Sequence, residues 1–170
     1  MAAEKRGEAR LVAHSSSARD SPAKMLEKKY FLKCEEGTLG GDSNSMIGEL
    51  YFGYNGPWGR YHQSKLSNSC FSMALHEKCK AAGINVKSLT AEPGLASSNL
   101  QVASTSGDGL MPGWAAKLIM GSGQSAEDGS LSCAMAAFGK DLNSGDMYVP
   151  ETGVKGPPVK VISGGMAVKK

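Results

Sequence analysis

An α/β fold with a parallel sheet is expected from three observations. Short apolar runs alternate with stretches of helical periodicity, glycine- and proline-bearing turns separate them, and the order along the chain is strand, helix, strand, helix, strand. The 170 residues, 41% of them hydrophobic, suffice for one domain with a real core and are too few for two of ordinary size. Residues 1–170 are therefore read as a single domain.

"RLVAHSSS" (Arg10 to Ser17) is a short apolar run that breaks into hydroxyls, the pattern of a buried strand delivering side chains at its carboxyl end. The stretch 20–59 carries "EEGTLGGDSNS" and "GYNGPWG" and reads as a long connection, a kind that is usually functional or mobile. From Tyr61 to Ala82 no glycine or proline intervenes. Leu66, Cys70, Met73 and Ala74 recur at helical spacing, with Phe71 and Leu75 widening the apolar face, so a well-buried helix stopping at Gly83 is expected.

Ile84, Val86 and Leu89 then make a strand ended by Pro93 and Gly94. After a serine-rich loop, Trp114 to Met120 can form a short helix. Ser125 is the N-cap of the next one, with Asp128 in capping-box position, an apolar face of Leu131, Met135 and Phe138, and Gly139 as terminator. "GDMYVP" is the last strand, closed by Pro150.

Composition excludes several function classes. The net charge is +3, and the 19 basic residues are spread along the chain instead of interleaved with aromatics, which argues against nucleic acid as a partner. Cys34, Cys70, Cys79 and Cys133 show no CxxC spacing, and His14, His62 and His76 do not join them at ligand intervals, so no metal is expected. Nothing approaches the roughly 18 apolar residues of a membrane span, and "MAAEKRGEAR" has no signal-peptide core. An intracellular protein, cytoplasmic or organellar and with a plastid not excluded, is the expectation, with reduced thiols.

"RYHQSKLSN" carries the candidate chemistry. Tyr61 and Lys65 lie four apart, so on a helix they share one face. An ordinary tyrosine, with a pKa of roughly 10, is a poor acid or base near neutrality, and an ammonium beside it favours the phenolate. The spacing alone is common on solvated helices. Its weight comes from position, because Ser16 and "EPG" end successive strands, where open α/β sheets bind ligands. Other sites are weaker. "GYNGPWG" puts Pro57 and Trp58 where backbone must approach phosphate, and "GDSNS" lacks the buried strand of a nucleophile elbow. His62 is expected to pack or face solvent, and Cys70 and Cys133 to be core residues.

Four ordered blocks, "RLVAHSSSAR", "RYHQSKLSN", "INVKSLTAEPGLASSNLQ" and "EDGSLSCAMAAFGKDLNSGDMYVPE", resemble the corresponding segments of the short-chain dehydrogenases/reductases. They look most like the retinol-dehydrogenase-like and protochlorophyllide-reductase-like branch, over about Arg10 to Pro158. The resemblance implies a Rossmann-like, doubly wound sheet, present as its carboxyl-terminal half with about three strands and flanking helices. It implies an oxidoreductase using NADP or NAD, with NADP preferred, on a small and lipophilic carbonyl or alcohol; an activated double bond is the lesser alternative. A homo-oligomer is also implied.

Residue by residue, Ser16 matches the family's serine that hydrogen-bonds the substrate oxygen, with Ser17 its nearest competitor. Tyr61 matches the general acid/base, and Lys65 the lysine that binds the nicotinamide ribose hydroxyls and favours the phenolate. Pro93 and Gly94 match the turn beside the nicotinamide. Ser98 falls where a threonine usually contacts the carboxamide. Glu92 stands where this branch often has histidine, and the stretch from Ser16 to Tyr61 is longer than in compact members. The family's glycine-rich fingerprint and its relay asparagine, both upstream of the serine, have no counterpart among the residues before "HSSSAR". A truncated oxidoreductase is therefore the expectation, its first strand left as an apolar edge; the alternative is a non-catalytic remnant serving as an interaction or dimerisation module.

Overall fold

The computed structural model describes residues 7–20, 25–32, 56–96 and 123–161. The chain enters through β1 (Ala9–His14), passes two short 3-10 turns at Ser17–Asp20 and Lys28–Tyr30, and forms the long helix α1 (Gly56–Ala81). Strand β2 (Val86–Ala91), helix α2 (Ala126–Phe138), and strands β3 (Met147–Pro150) and β4 (Pro158–Val161) follow. The sheet has four strands in the order β1-β2-β3-β4. β1 runs parallel to β2 in the register Ala9↔Val86 to His14↔Ala91, and β2 runs parallel to β3. This is the α/β class expected, consistent with a partial Rossmann-like sheet.

The sequence reading stopped at three strands. β4 returns antiparallel to β3, pairing Val149 with Val159 and Pro150 with Pro158. The return uses Gly153 at φ +77° and Gly156 at φ +113°. Proline in both strands at the turn end of this ladder suits the margin of a sheet, and a four-residue strand carries too few residues for period-two alternation to stand out. Helix α1 also begins earlier than expected, at Gly56 and not Tyr61. Pro57 fits a first turn because its missing N–H is not needed there.

Both helices present the face opposite to the one expected. Cys70, Phe71, Met73 and Ala74 on α1 are exposed, and so are Leu131, Met135 and Phe138 on α2. The side of α1 that meets the sheet is small and polar. Ser72 Oγ lies 3.0 Å from Ser88 Oγ, which itself donates to the Ser72 carbonyl at 2.8 Å. His76 Nδ1 is 2.8 Å from Ser144 Oγ, and Ser144 Oγ accepts the Ser88 amide at 2.9 Å. On α2 the buried residues are Gly129, Ser132 and Ala136. A Cβ on Gly129 would meet the Ala96 methyl at 2.5 Å. Small side chains let a helix approach a sheet closely, and the matched hydroxyls leave no donor stranded. Apolar periodicity identifies an amphipathic helix but does not say which side finds a partner.

The core lies between α2 and the sheet and consists of Leu89, Ala91, Ala136, Leu142 and Tyr148, with Val12 and Cys133 packed against it. Burial pushes the Cys133 thiol up, whereas Cys70 is exposed and is not the core residue expected. The phenol of Tyr148 is pushed up to about 12 by burial and then by the Asp146 carboxylate, to which it donates at 3.2 Å. The unfolded chain ionises first, near the ordinary value of about 10. Stability from this group is therefore full below that pH and declines as pH rises toward 12. In an alkaline titration followed by phenolate absorbance, a step is expected near this value and should vanish in Tyr148→Phe.

Ser125 caps α2 as expected, accepting the Asp128 amide at 3.0 Å. At the other end Arg10 reaches from β1 to the last carbonyls, bonding those of Ala136 and Ala137 at 3.3 Å and Gly139 at 2.8 Å. Glu8 holds the guanidinium in place at 2.7 Å. A cation on orphan carbonyls stabilises a helix terminus. Arg10→Ala is expected to cost about 2 kcal/mol, read as a fall of about 4–8 °C in melting temperature.

Candidate functional site

The site grows from the way β1 ends. Ser15 is fully buried, donating to the Lys65 carbonyl at 2.9 Å and accepting from Ser69 Oγ at 2.9 Å. Asn68 Nδ2 donates to the His14 carbonyl at 2.8 Å. These bonds fix the carboxyl end of β1 to the third and fourth turns of α1. The next residue, Ser16, is half-buried and accepts the Ala18 amide at 3.3 Å. A hydroxyl oxygen used as an acceptor keeps its proton for another partner. Its competitor Ser17 is exposed and opens the 3-10 turn.

On α1, Lys65 Nζ stands 5.5 Å from the centroid of the Tyr61 ring, a cation over an aromatic face. The same ammonium lies 3.3 Å from His14 Nδ1. An ammonium has only donors, so this contact requires a neutral imidazole with its proton on Nε2. Burial lowers Lys65 below the ordinary lysine value. Burial, and then the Lys65 charge, lower His14 as well. The His14 shift favours the neutral acceptor, whereas burial of Lys65 works against its charged form.

The neighbours of Tyr61 tie α1 to the segment after Ser16. His62 Nδ1 is 2.6 Å from the Ala18 carbonyl, to which it donates, and its ring stands edge-on to Tyr61 at a centroid distance of 6.4 Å. Gln63, 2% exposed, takes the Glu27 amide at 2.8 Å and gives to the Met25 carbonyl at 3.0 Å. His62, expected to pack or face solvent, packs beside Tyr61 and also serves as a tether; Gln63 was not singled out at all.

Pro93 and Gly94 follow β2 directly. Gly94 has φ +66°, and a Cβ there would lie 2.7 Å from Pro150 Cγ and closer still to the Val154 carbonyl. Gln124 Nε2 donates to the Pro93 carbonyl at 2.7 Å, and the Leu95 amide to the Val154 carbonyl at 2.8 Å. This turn joins the Ser16 segment through an ion pair between Arg19 and Glu92.

The structure therefore brings Tyr61 and Lys65 together, sets Ser16 in the segment tethered beside them, and connects Pro93 and Gly94 to that segment. Ser98 and the expected helix at 114–120 lie outside the described residues. His14, Arg19, Glu92 and Gln124 also shape the site. The contacts that bring them to the site, His14 with Lys65, Arg19 with Glu92 and Gln124 with Pro93, join residues far apart in the chain, and short spacing gives no sign of them; only Glu92 drew notice, as a departure from a family pattern. A cleft of about 560 Å³ lies elsewhere, lined by Gln124, Asp128, Leu131 and Lys155 among others, and contains neither Tyr61 nor Lys65. Among the described residues no group of three or more His, Cys, Asp or Glu could hold a metal ion, and no helix is long and apolar enough to cross a membrane.

No protein-family model matches the chain, and no curated protein does. Among solved structures it is similar to the crystal structure of an uncharacterized protein from Mycobacterium paratuberculosis, with a TM-score of 0.54 and 24% sequence identity. The similarity covers 91% of this chain, which spans 42% of the length of that protein. At this identity the likeness establishes the fold: a mostly parallel α/β sheet flanked by helices.

Proposed function

We propose that the chain is the catalytic part of an NAD(P)-dependent oxidoreductase of the short-chain type, acting on a lipophilic carbonyl/alcohol pair. The observation that carries this reading is the Lys65 ammonium over the Tyr61 ring, at the carboxyl ends of two adjacent parallel strands. Ligands of open α/β sheets bind at that end. Ser16 Oγ–H orients the substrate oxygen, and Tyr61 exchanges a proton with it. Lys65 holds the nicotinamide ribose hydroxyls and keeps a positive charge beside the phenol.

The donors present suit the nicotinamide end of the cofactor: a half-buried ammonium and a turn locked by Gln124 and Val154. The cofactor, when bound, supplies or accepts the hydride. Titrating the purified chain with NADPH and with NADH, followed by nicotinamide fluorescence, tests the reading. Saturable binding that Lys65→Ala abolishes supports it, and no binding by a chain that circular dichroism shows folded overturns it.

A second reading, an interaction or dimerisation module, is favoured by the outward apolar faces. Phe71 is 54% exposed and Phe138 86%. Sedimentation equilibrium distinguishes it: self-association that Phe71→Ser abolishes, without any nicotinamide binding, supports the module.

A further inference from the structure

Arg19 and Glu92 lie almost out of water, at 9% and 2% exposure, Arg19 in the 3-10 turn that follows β1 and Glu92 directly after β2. Among the described residues the Glu92 Oε1 atom is held by the Arg19 guanidinium and by no neutral donor. Burying two charges is costly, and apolar side chains of similar size stabilise a fold as well or better. What such a pair adds is geometry, because a guanidinium fork binds several acceptors in fixed directions.

Here the fork has three acceptors. Besides Glu92 it bonds the Ser16 carbonyl at 3.2 Å and pairs with Asp20 at 3.3 Å, while the Arg19 amide also donates to the Ser16 carbonyl at 3.0 Å. Glu92 is itself anchored, its amide donating to the Tyr148 carbonyl at 2.9 Å in the sheet, one residue before the locked Pro93–Gly94 turn. The guanidinium thus connects the backbone of Ser16 to the rigid end of β2.

We propose that Arg19 and Glu92 form a positioning pair that holds the Ser16 segment against the Pro93–Gly94 turn, fixing the serine hydroxyl relative to the nicotinamide face. The use of that hydroxyl rests on the oxidoreductase reading; the holding of the segment does not. Neither residue touches the reacting atoms.

The decisive variant is Arg19→Met with Glu92→Leu, which removes both charges and leaves no buried ion alone. Amide hydrogen exchange on the purified chain is read residue by residue. Protection at Ala18 and at position 19 is expected to fall by about tenfold or more, while the Thr90 amide, bonded to Asp146 in the sheet, stays protected. Unchanged exchange at both positions in the folded variant overturns the proposal.

Turnover is measured on the same variant with NADPH and an aromatic quinone as the carbonyl probe. It is expected to fall by about 10²-fold, with NADPH affinity within about threefold. Arg19→Lys with Glu92 intact keeps the charge, loses the fork, and should recover part of the rate; it also serves as the readout if the double variant does not fold. Loss of protection with an unchanged rate overturns the proposal too. If the parent chain binds neither cofactor, the oxidoreductase reading fails, and exchange at Ala18 and position 19 still decides the pair.

Discussion

Gly94→Ala is expected to lower stability by about 3 kcal/mol or more and the melting temperature by about 10 °C. Two causes act together. A left-handed backbone costs a residue with a Cβ about 1–2 kcal/mol, and Gly94 has φ +66°. The added carbon also overlaps the Val154 carbonyl and Pro150, so the β3–β4 hairpin or the turn must move. Gly83 separates the two causes. It has φ +64°, and a Cβ there would meet nothing within 4 Å. Gly83→Ala is therefore expected to cost about 1 kcal/mol, and the excess at Gly94 measures the contact. Urea denaturation of the two variants checks this; equal costs would show that crowding at the turn contributes nothing. Nicotinamide binding should weaken with Gly94→Ala alone.

Tyr61→Phe is expected to reduce turnover by about 10³-fold and to change NADPH affinity by less than about twofold. Phenylalanine keeps the ring over which the Lys65 ammonium lies and the edge contact with His62, so only the exchangeable proton is lost. Lys65→Ala should instead impair binding and rate together, since it removes the proposed ribose ligand and the charge beside the phenol. Initial rates with NADPH and a quinone, set beside fluorescence titrations, check both. Normal turnover in Tyr61→Phe would remove Tyr61 from the chemistry.

The parts of this architecture that were legible in sequence are those set by local chemistry. Ser125 and Asp128 announced a capped helix, Gly83 ended α1 in the left-handed conformation, and Pro93–Gly94 ended β2. The Tyr61–Lys65 pair was legible for the same reason, since a four-residue spacing determines a shared face. Side choice was not. Leu131, Met135 and Phe138 mark a stripe on α2, yet Gly129, Ser132 and Ala136 meet the sheet, because close approach with satisfied hydroxyls competes successfully with bulk. The Arg19–Glu92 pair and the Arg10 cap join residues far apart in the chain, and no local pattern encodes such a meeting. β4 escaped notice because Pro158 and a short length disguise an edge strand.

Strand pairing along this chain is very uneven in separation, and that orders its folding. Pro150 meets Pro158 across a short turn, whereas Ala9 meets Val86 only after α1 has been traversed, roughly tenfold farther along the chain. Closing the longer loop costs about 2 kcal/mol more in chain entropy, and non-local parallel pairing is slow. The hairpin is expected to nucleate early and the β1–β2 ladder to close late. Because β1 leads directly into Ser15 and Ser16, the candidate site is expected to be assembled by the last strand to arrive, and a kinetic intermediate lacking β1 would have most of its helix and no competent crevice.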